Sequence, residues 1–201
     1  MDATAVERVR KKYGIGDCPV VLFVGTVMPR KGVVELVRAF DQLVNERGRD
    51  IHLVLVGETG LDEAYVEKVE SFISRDKLDN HVTMPGFVPG DDLPALYRLA
   101  DVLAVPSLEE GFGMTAIEAM AAGTPVVGSR VGGLPQVIES GQTGLLTEPG
   151  DVDGLATAIE DVLTQLDRDD ITDMVRQKAM KYSWESVATQ FETVYEGIQN
   201  E

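Results

Sequence analysis

Three acids stand in "SLEEGFGMTAIEAMAAGTPVV" (Ser107–Val127), and the last of them, Glu118, is the only charged residue between Glu110 and Arg130. Gly111 and Gly113 permit a tight loop and close backbone approach, so a helix is predicted to begin near Gly113. Its first N–H groups, on Met114 and Thr115, would then face an anion. Glu118 follows Met114 by four residues and Thr115 by three, which sets it on their face, about 6 Å further along the axis. A diphosphate at the helix end would bring an adjoining ribose to that height, where a carboxylate accepts from two vicinal hydroxyls. The plainer alternative, a glutamate pointing to solvent, stays open on these residues alone. Glu110, beside the glycine turn, suits sugar hydroxyls better than Glu109, although adjacent acids on a loop also read as a solvated surface.

A second segment, "GTVMPRKG" (Gly25–Gly32), carries Arg30 and Lys31 just before a helix predicted to start at Gly32 or Val33. Cations at a helix N-terminus oppose its dipole by about 0.3–1 kcal/mol, and an anionic ligand reverses that penalty. Two cations and a second helix end would stabilise a departing diphosphate; a pair of solvated surface charges is the alternative. In "PGFVPGDDL", the glycine and proline content makes an ordered turn. Phe87 and Val88 there could flank a nucleobase, and core packing is the other reading, slightly favoured for Phe87. His52 and His81 have no acid or nucleophile in pattern with them and receive no role. No Cys/His cluster has metal-ligand spacing, and Cys18 reads as a small packing residue before a strand.

The elements that must position these residues alternate. Short β-branched runs at Val20–Gly25, Ile51–Gly57, His81–Met84, Val102–Pro106, Pro125–Ser129 and Gly144–Thr147 read as strands. Helical patterns fall between them at 33–47, 62–75, 92–100, 113–122 and 133–139, with helices from 151 onward. This order predicts an α/β fold, a Rossmann-like open parallel sheet of six strands with helices on both faces. Ligands in such sheets bind beyond the carboxyl ends of the strands, which singles out the loops 25–32, 57–62, 85–91 and 107–114. G-x-G-x-x-G does not follow the first strand, so the dinucleotide site of dehydrogenases is disfavoured. Ser183 is a plausible N-cap for the last helix, and Trp184 a candidate anchor.

At 201 residues with 44% hydrophobic content, the chain suits one domain with a sizeable core. The net charge of −16 argues against nucleic acid or an anionic membrane surface as the main partner. That charge is spread along the chain, Lys is rarer than Arg and Asp is as common as Glu, a pattern resembling cytosolic proteins of salt-loving organisms. No apolar run approaches the roughly 18–20 residues of a membrane span, and the start has no apolar signal region, so the expected location is cytoplasmic.

Taken in order, "EGFGMTAIEAMAAGTPVVGSRVGGLPQVIESGQTGLL", "GTVMPRKG", "PGFVP" and "YSWESVATQFETVY" resemble the donor-binding lobe of family 4 glycosyltransferases, the retaining group with the two-lobed GT-B fold. The likeness runs from about Val21 to Tyr195. It implies transfer of a sugar from a nucleoside-diphosphate sugar with retention at the anomeric carbon and without a metal. Glu110, the first acid of the family's E-x7-E element, would contact donor-sugar hydroxyls, and Glu118 the ribose. Lys31 would hold the diphosphate, helped by Gly25, Thr26 and Arg30. The backbone from Gly111 through Phe112, Gly113 and Met114 to Thr115 would hold phosphate and sugar, and Phe87 and Val88 would face the base. Thr26 stands where members often carry Arg, and Gln136 where "GGLPE" is common. The family's N-terminal acceptor lobe is missing from this sequence and is the implied partner. Such enzymes commonly use lipid-linked acceptors at the inner membrane face, though nothing in this chain points there. A nucleotide-sugar binding module without turnover and a GT-B nucleotide-sugar epimerase are the competing readings.

Overall fold

The computed structural model describes residues 3–165 and 168–199. Six strands, β1 (Val20–Val24), β2 (His52–Val56), β3 (Val82–Gly86), β4 (Val102–Val105), β5 (Val126–Ser129) and β6 (Gly144–Thr147), form one sheet in the order β3-β2-β1-β4-β5-β6. Every neighbouring pair is parallel. The helices described are α1 (Ala3–Lys12), α2 (Val33–Asp41), α3 (Glu63–Arg75), α4 (Leu93–Leu99), α5 (Met114–Ala122), α6 (Leu134–Val137), α7 (Val152–Gln165), α8 (Arg168–Met180) and α9 (Trp184–Gln199).

Strand alternation divides the apolar residues between two layers. In β1, Val21 and Phe23 enter a core with Leu36, Val37 and Phe40 of α2 and Ile159 of α7. Val20 and Leu22 enter the opposite core with Leu96 and Leu99 of α4, Met120 of α5 and Val175 of α8. Each of these large side chains contributes about 1.5–3 kcal/mol by burial, so a one-residue slip in register would forfeit both layers at once.

The strand order reverses between β1 and β4, which pair through Val21 with Val102 and Leu22 with Leu103. The chain leaves β1 for α2 on one face and leaves β4 for α5 on the other. Their loops meet above the strand ends, at the topological switch point where sheets of this kind bind ligands in a crevice.

Three features depart from the sequence reading. First, α1 was not anticipated. It has a single fully buried apolar residue, Val9, and is held by polar contacts: Arg8, Lys12 (Nζ at 2.6 Å) and the Tyr13 hydroxyl (2.6 Å) all engage the Asp92 carboxylate at the start of α4. Second, the helix expected over 33–47 is α-helical only to Asp41 and continues as a π-helical turn over Gln42–Glu46. Third, Ser183 does cap α9, its Oγ accepting the Ser186 N–H at 3.2 Å, but Trp184 anchors nothing and is 90% exposed. The cap turns the first residue of α9 outward, and Tyr182 takes the anchoring position instead, donating its hydroxyl to the Gln136 carbonyl at 2.9 Å. Among the described residues, no helix is long and apolar enough to cross a membrane.

Candidate functional site

The loop after β1 is pinned before it reaches the crevice. Gly25 donates its N–H to the Val56 carbonyl and Val27 donates to that of Glu58, each at 2.9 Å, and the Val27 side chain is fully buried. Thr26 lies between them, half-buried. Pro29–Lys31 then make one 3-10 turn, and Gly32 starts α2 in the left-handed conformation, φ 66°. A Cβ at Gly32 would lie 2.0 Å from the Pro106 carbonyl oxygen, so only glycine lets the loops after β1 and β4 touch. Arg30 joins them further: its carbonyl accepts from the N–H groups of Leu108 (2.8 Å) and Glu109 (3.2 Å) while its side chain remains exposed.

This zipped pair of loops brings Lys31 and Glu110 together. Lys31 Nζ lies 2.7 Å from Glu110 Oε2, with side chains 16% and 11% exposed. Ser107, fully buried, donates its hydroxyl to the same oxygen at 3.1 Å, and the Gly111 N–H donates to Oε1 at 3.0 Å. Burial alone would push the Glu110 carboxyl up. The Lys31 ammonium, then the Gly111 N–H and the Ser107 hydroxyl, outweigh it and hold the group below the usual carboxylate range. The two residues expected from sequence to serve different parts of a ligand therefore begin as each other's partner.

Beside this pair α5 opens at Met114, after Gly113 in the left-handed conformation (φ 88°). The Met114 and Thr115 N–H groups, as at the start of any helix, have no carbonyl within their own helix to bond. A glycine pair fixes the approach to it. The Gly133 N–H donates to the Gly111 carbonyl at 2.8 Å, and a Cβ on Gly132 would come within 1.8 Å of the Glu110 carbonyl oxygen. Phe112 is half exposed and meets the Tyr182 ring edge-on, with centroids 5.7 Å apart.

Glu118 is exposed, one turn along α5, the alternative that the sequence left open. Ala116, Ile117, Ala119 and Met120 fill the inward face of this short helix and leave position 118 outside. It is nevertheless tethered, because the buried Tyr97 of α4 donates its hydroxyl to Glu118 Oε2 at 2.7 Å. Both line a groove of about 440 Å3 between α4 and α5, with Leu93, Pro94 and Ala122 in its walls. In the loop after β3, Val88 is 4% exposed and belongs to the core, so its side chain cannot flank a base. Phe87, for which packing was favoured, is 83% exposed. Alternation along the chain sends one inward and therefore the other outward.

Sequence reasoning missed Ser107, Tyr97, Gly132 and Gly133. Ser107 and the glycine pair lay inside quoted motifs and were legible as types. Tyr97 gave no local signal, since its partner is on another helix.

The doubly wound sheet with its switch-point crevice defines one Rossmann-like lobe of a GT-B fold. The chain belongs to the family described as glycosyl transferases group 1, whose profile matches residues 5–179. It is 36% identical over 197 residues to the D-inositol 3-phosphate glycosyltransferase of Corynebacterium efficiens, covering 95% of this chain and 46% of that protein. It is 37% identical over 169 residues to a GDP-mannose-dependent alpha-(1-6)-phosphatidylinositol monomannoside mannosyltransferase of Mycolicibacterium smegmatis, covering 81% and 43% respectively. Among solved structures, Anabaena Alr3699/HepE in complex with UDP and glucose superposes with a TM-score of 0.85 at 27% identity, covering 100% of this chain and 53% of that one. A glycosyltransferase from Rickettsia africae gives 0.90 at 25% identity, with 99% and 53% covered. The chain thus spans about half the length of the relatives it matches.

Proposed function

We propose that this chain is the donor-binding half of a retaining glycosyltransferase and that its ligand is a nucleoside-diphosphate sugar seated at the switch-point crevice. The observation that carries the reading is the convergence of Lys31 and Glu110, 2.7 Å apart, beside the starts of α2 and α5. In this reading the diphosphate lies against the α5 N–H groups and takes over the Lys31 ammonium. Glu110, released, accepts hydrogen bonds from sugar hydroxyls, and Glu118 accepts from the ribose. Arg30 lends its backbone to the loop pairing, and Phe87 remains available as an apolar wall for the base.

In the transfer, the bond between the anomeric carbon and the diphosphate oxygen breaks, and a bond to an acceptor hydroxyl oxygen forms on the same face. The acceptor proton passes to the departing diphosphate oxygen, and the negative charge that develops on that group is met by Lys31 and the helix N–H groups. The acceptor would be supplied by a second lobe, which the half-length match to the relatives supports. The same half-length match favours, as the second reading, a module that binds nucleotide sugar without turnover by itself.

Titration calorimetry with UDP, GDP and their sugar conjugates tests the assignment. One nucleoside diphosphate is expected to bind, and Lys31→Ala and Glu118→Ala should each weaken it by about 1–3 kcal/mol. Absence of binding at millimolar ligand, or variants equal to the parent chain, would overturn it.

A further inference from the structure

We propose that Tyr97 is a positioning residue for ribose selection: its buried hydroxyl holds the Glu118 carboxylate in the one orientation that reads the two vicinal hydroxyls of a ribonucleoside diphosphate. The inference rests on the donor-site reading above and extends it to a residue outside the crevice loops.

Glu118 is the only acid on α5, and its chain is exposed. Left alone, such a side chain samples several rotamers, and fixing one of them on binding costs free energy. Tyr97 removes that cost in advance. Its ring is 3% exposed and packed in the core beneath α4 and α5, so the hydroxyl cannot wander. The hydroxyl donates to Glu118 Oε2 at 2.7 Å, which leaves Oε1 and the second lone pair of Oε2 for a ligand. The same tyrosine also fixes the far end of α5, its carbonyl accepting the hydroxyl of the buried Thr124 at 2.5 Å. One residue of α4 is therefore bonded to α5 at the acid and just past its last turn, so that acid and helix are set as a unit. Burial, and then the Glu118 carboxylate, push the Tyr97 hydroxyl well above its ordinary range, so it stays a donor throughout the neutral range. A residue serving only as core filler needs no hydroxyl aimed at an exposed acid.

The test compares UDP with 2′,3′-dideoxyUDP, and GDP with its dideoxy counterpart, by calorimetry on the whole chain. The parent protein should prefer the ribose form by about 10- to 100-fold, the scale of hydrogen bonds to a charged group. Tyr97→Phe keeps the ring and its packing. It should reduce that preference about three- to tenfold, leave dideoxy binding unchanged and leave the circular dichroism spectrum unchanged. Glu118→Ala should abolish the preference, and adding Tyr97→Phe to it should change nothing more. A Tyr97→Phe protein that keeps the full preference, or weakens both nucleotides equally, overturns the proposal while the role of Glu118 stands. If Glu118→Ala keeps the preference, or no nucleoside diphosphate binds the parent chain, the donor-site reading falls and this inference with it.

Discussion

Two clusters in this molecule use nearly the same parts for different ends. At the start of α4, the Asp92 carboxylate, 2% exposed, is met by Lys12, Arg8 and the Tyr13 hydroxyl. At the switch point, the Glu110 carboxylate, 11% exposed, is met by Lys31, the Ser107 hydroxyl and one backbone N–H. Asp92 has two cations, both from α1; the cluster fastens α1 to the start of α4. Glu110 has one cation, drawn from a different strand loop, and in the proposed reading a bound diphosphate would compete for it. The difference lies in surroundings: a carboxylate held by two cations of one helix is a clasp, and in the proposed reading one whose single cation would have a bound anion as its alternative partner is a latch.

The comparison is broken most sharply by exchanging the perturbations. Lys31→Ala should cut nucleoside-diphosphate affinity by about 10- to 100-fold, read by calorimetry, while leaving the melting temperature within about 2 °C. Asp92→Ala should do the reverse, lowering the melting temperature by roughly 5 °C and leaving affinity within about twofold. Loss of affinity in both variants, or of stability in both, would merge the two clusters into one role.

A smaller effect separates latch from clasp directly. Glu110→Gln removes the charge that competes for Lys31, so a bare nucleoside diphosphate should bind about two- to fivefold tighter. The corresponding nucleotide sugar should lose that gain, because the freed acid is the group that reads the sugar. Equal changes for both ligands would deny Glu110 any contact with sugar.

Acid adds the mildest test. Asp92 and Glu110 are both held below the usual carboxylate range in the folded state, Asp92 by Lys12, then the Tyr13 hydroxyl and Arg8, and Glu110 by Lys31 against the opposing pull of burial. Groups with depressed folded values stabilise the protein above their unfolded pKa, about 4, and lose that contribution as pH falls through the folded value. Melting temperature should therefore drop below about pH 4, with a shallower fall in Asp92→Ala than in Glu110→Gln. Parallel curves for parent and both variants would contradict this.

The sheet was legible because its strands are apolar and β-branched over their whole lengths, and the helix start at Gly113 because two glycines bracket it. What stayed hidden depends on distance along the chain. Lys31 meets Glu110 across 79 residues, and Arg8 meets Asp92 across 84, so neither pairing leaves a local pattern. The helix α1 escaped notice because its apolar face is short, Val9 with Ala5 and Val6 partly buried beside it, and ion pairs to Asp92 add to its hold. Glu118 stands among apolar neighbours, yet on a short helix packed along one face position 118 falls outside, and its tether, Tyr97, sits on another element. Phe87 and Val88 show the same limit: adjacent residues in a turn went opposite ways, and only the packing of the loop decided which.

In the proposed reading, the Lys31–Glu110 pair opens to admit the donor. A crystal structure with bound UDP-sugar or GDP-sugar tests it most directly. Lys31 Nζ is expected on a diphosphate oxygen and Glu110 on sugar hydroxyls, with the 2.7 Å contact between them lost. A ligand bound while that contact persists unchanged, or one seated away from the crevice, would contradict it.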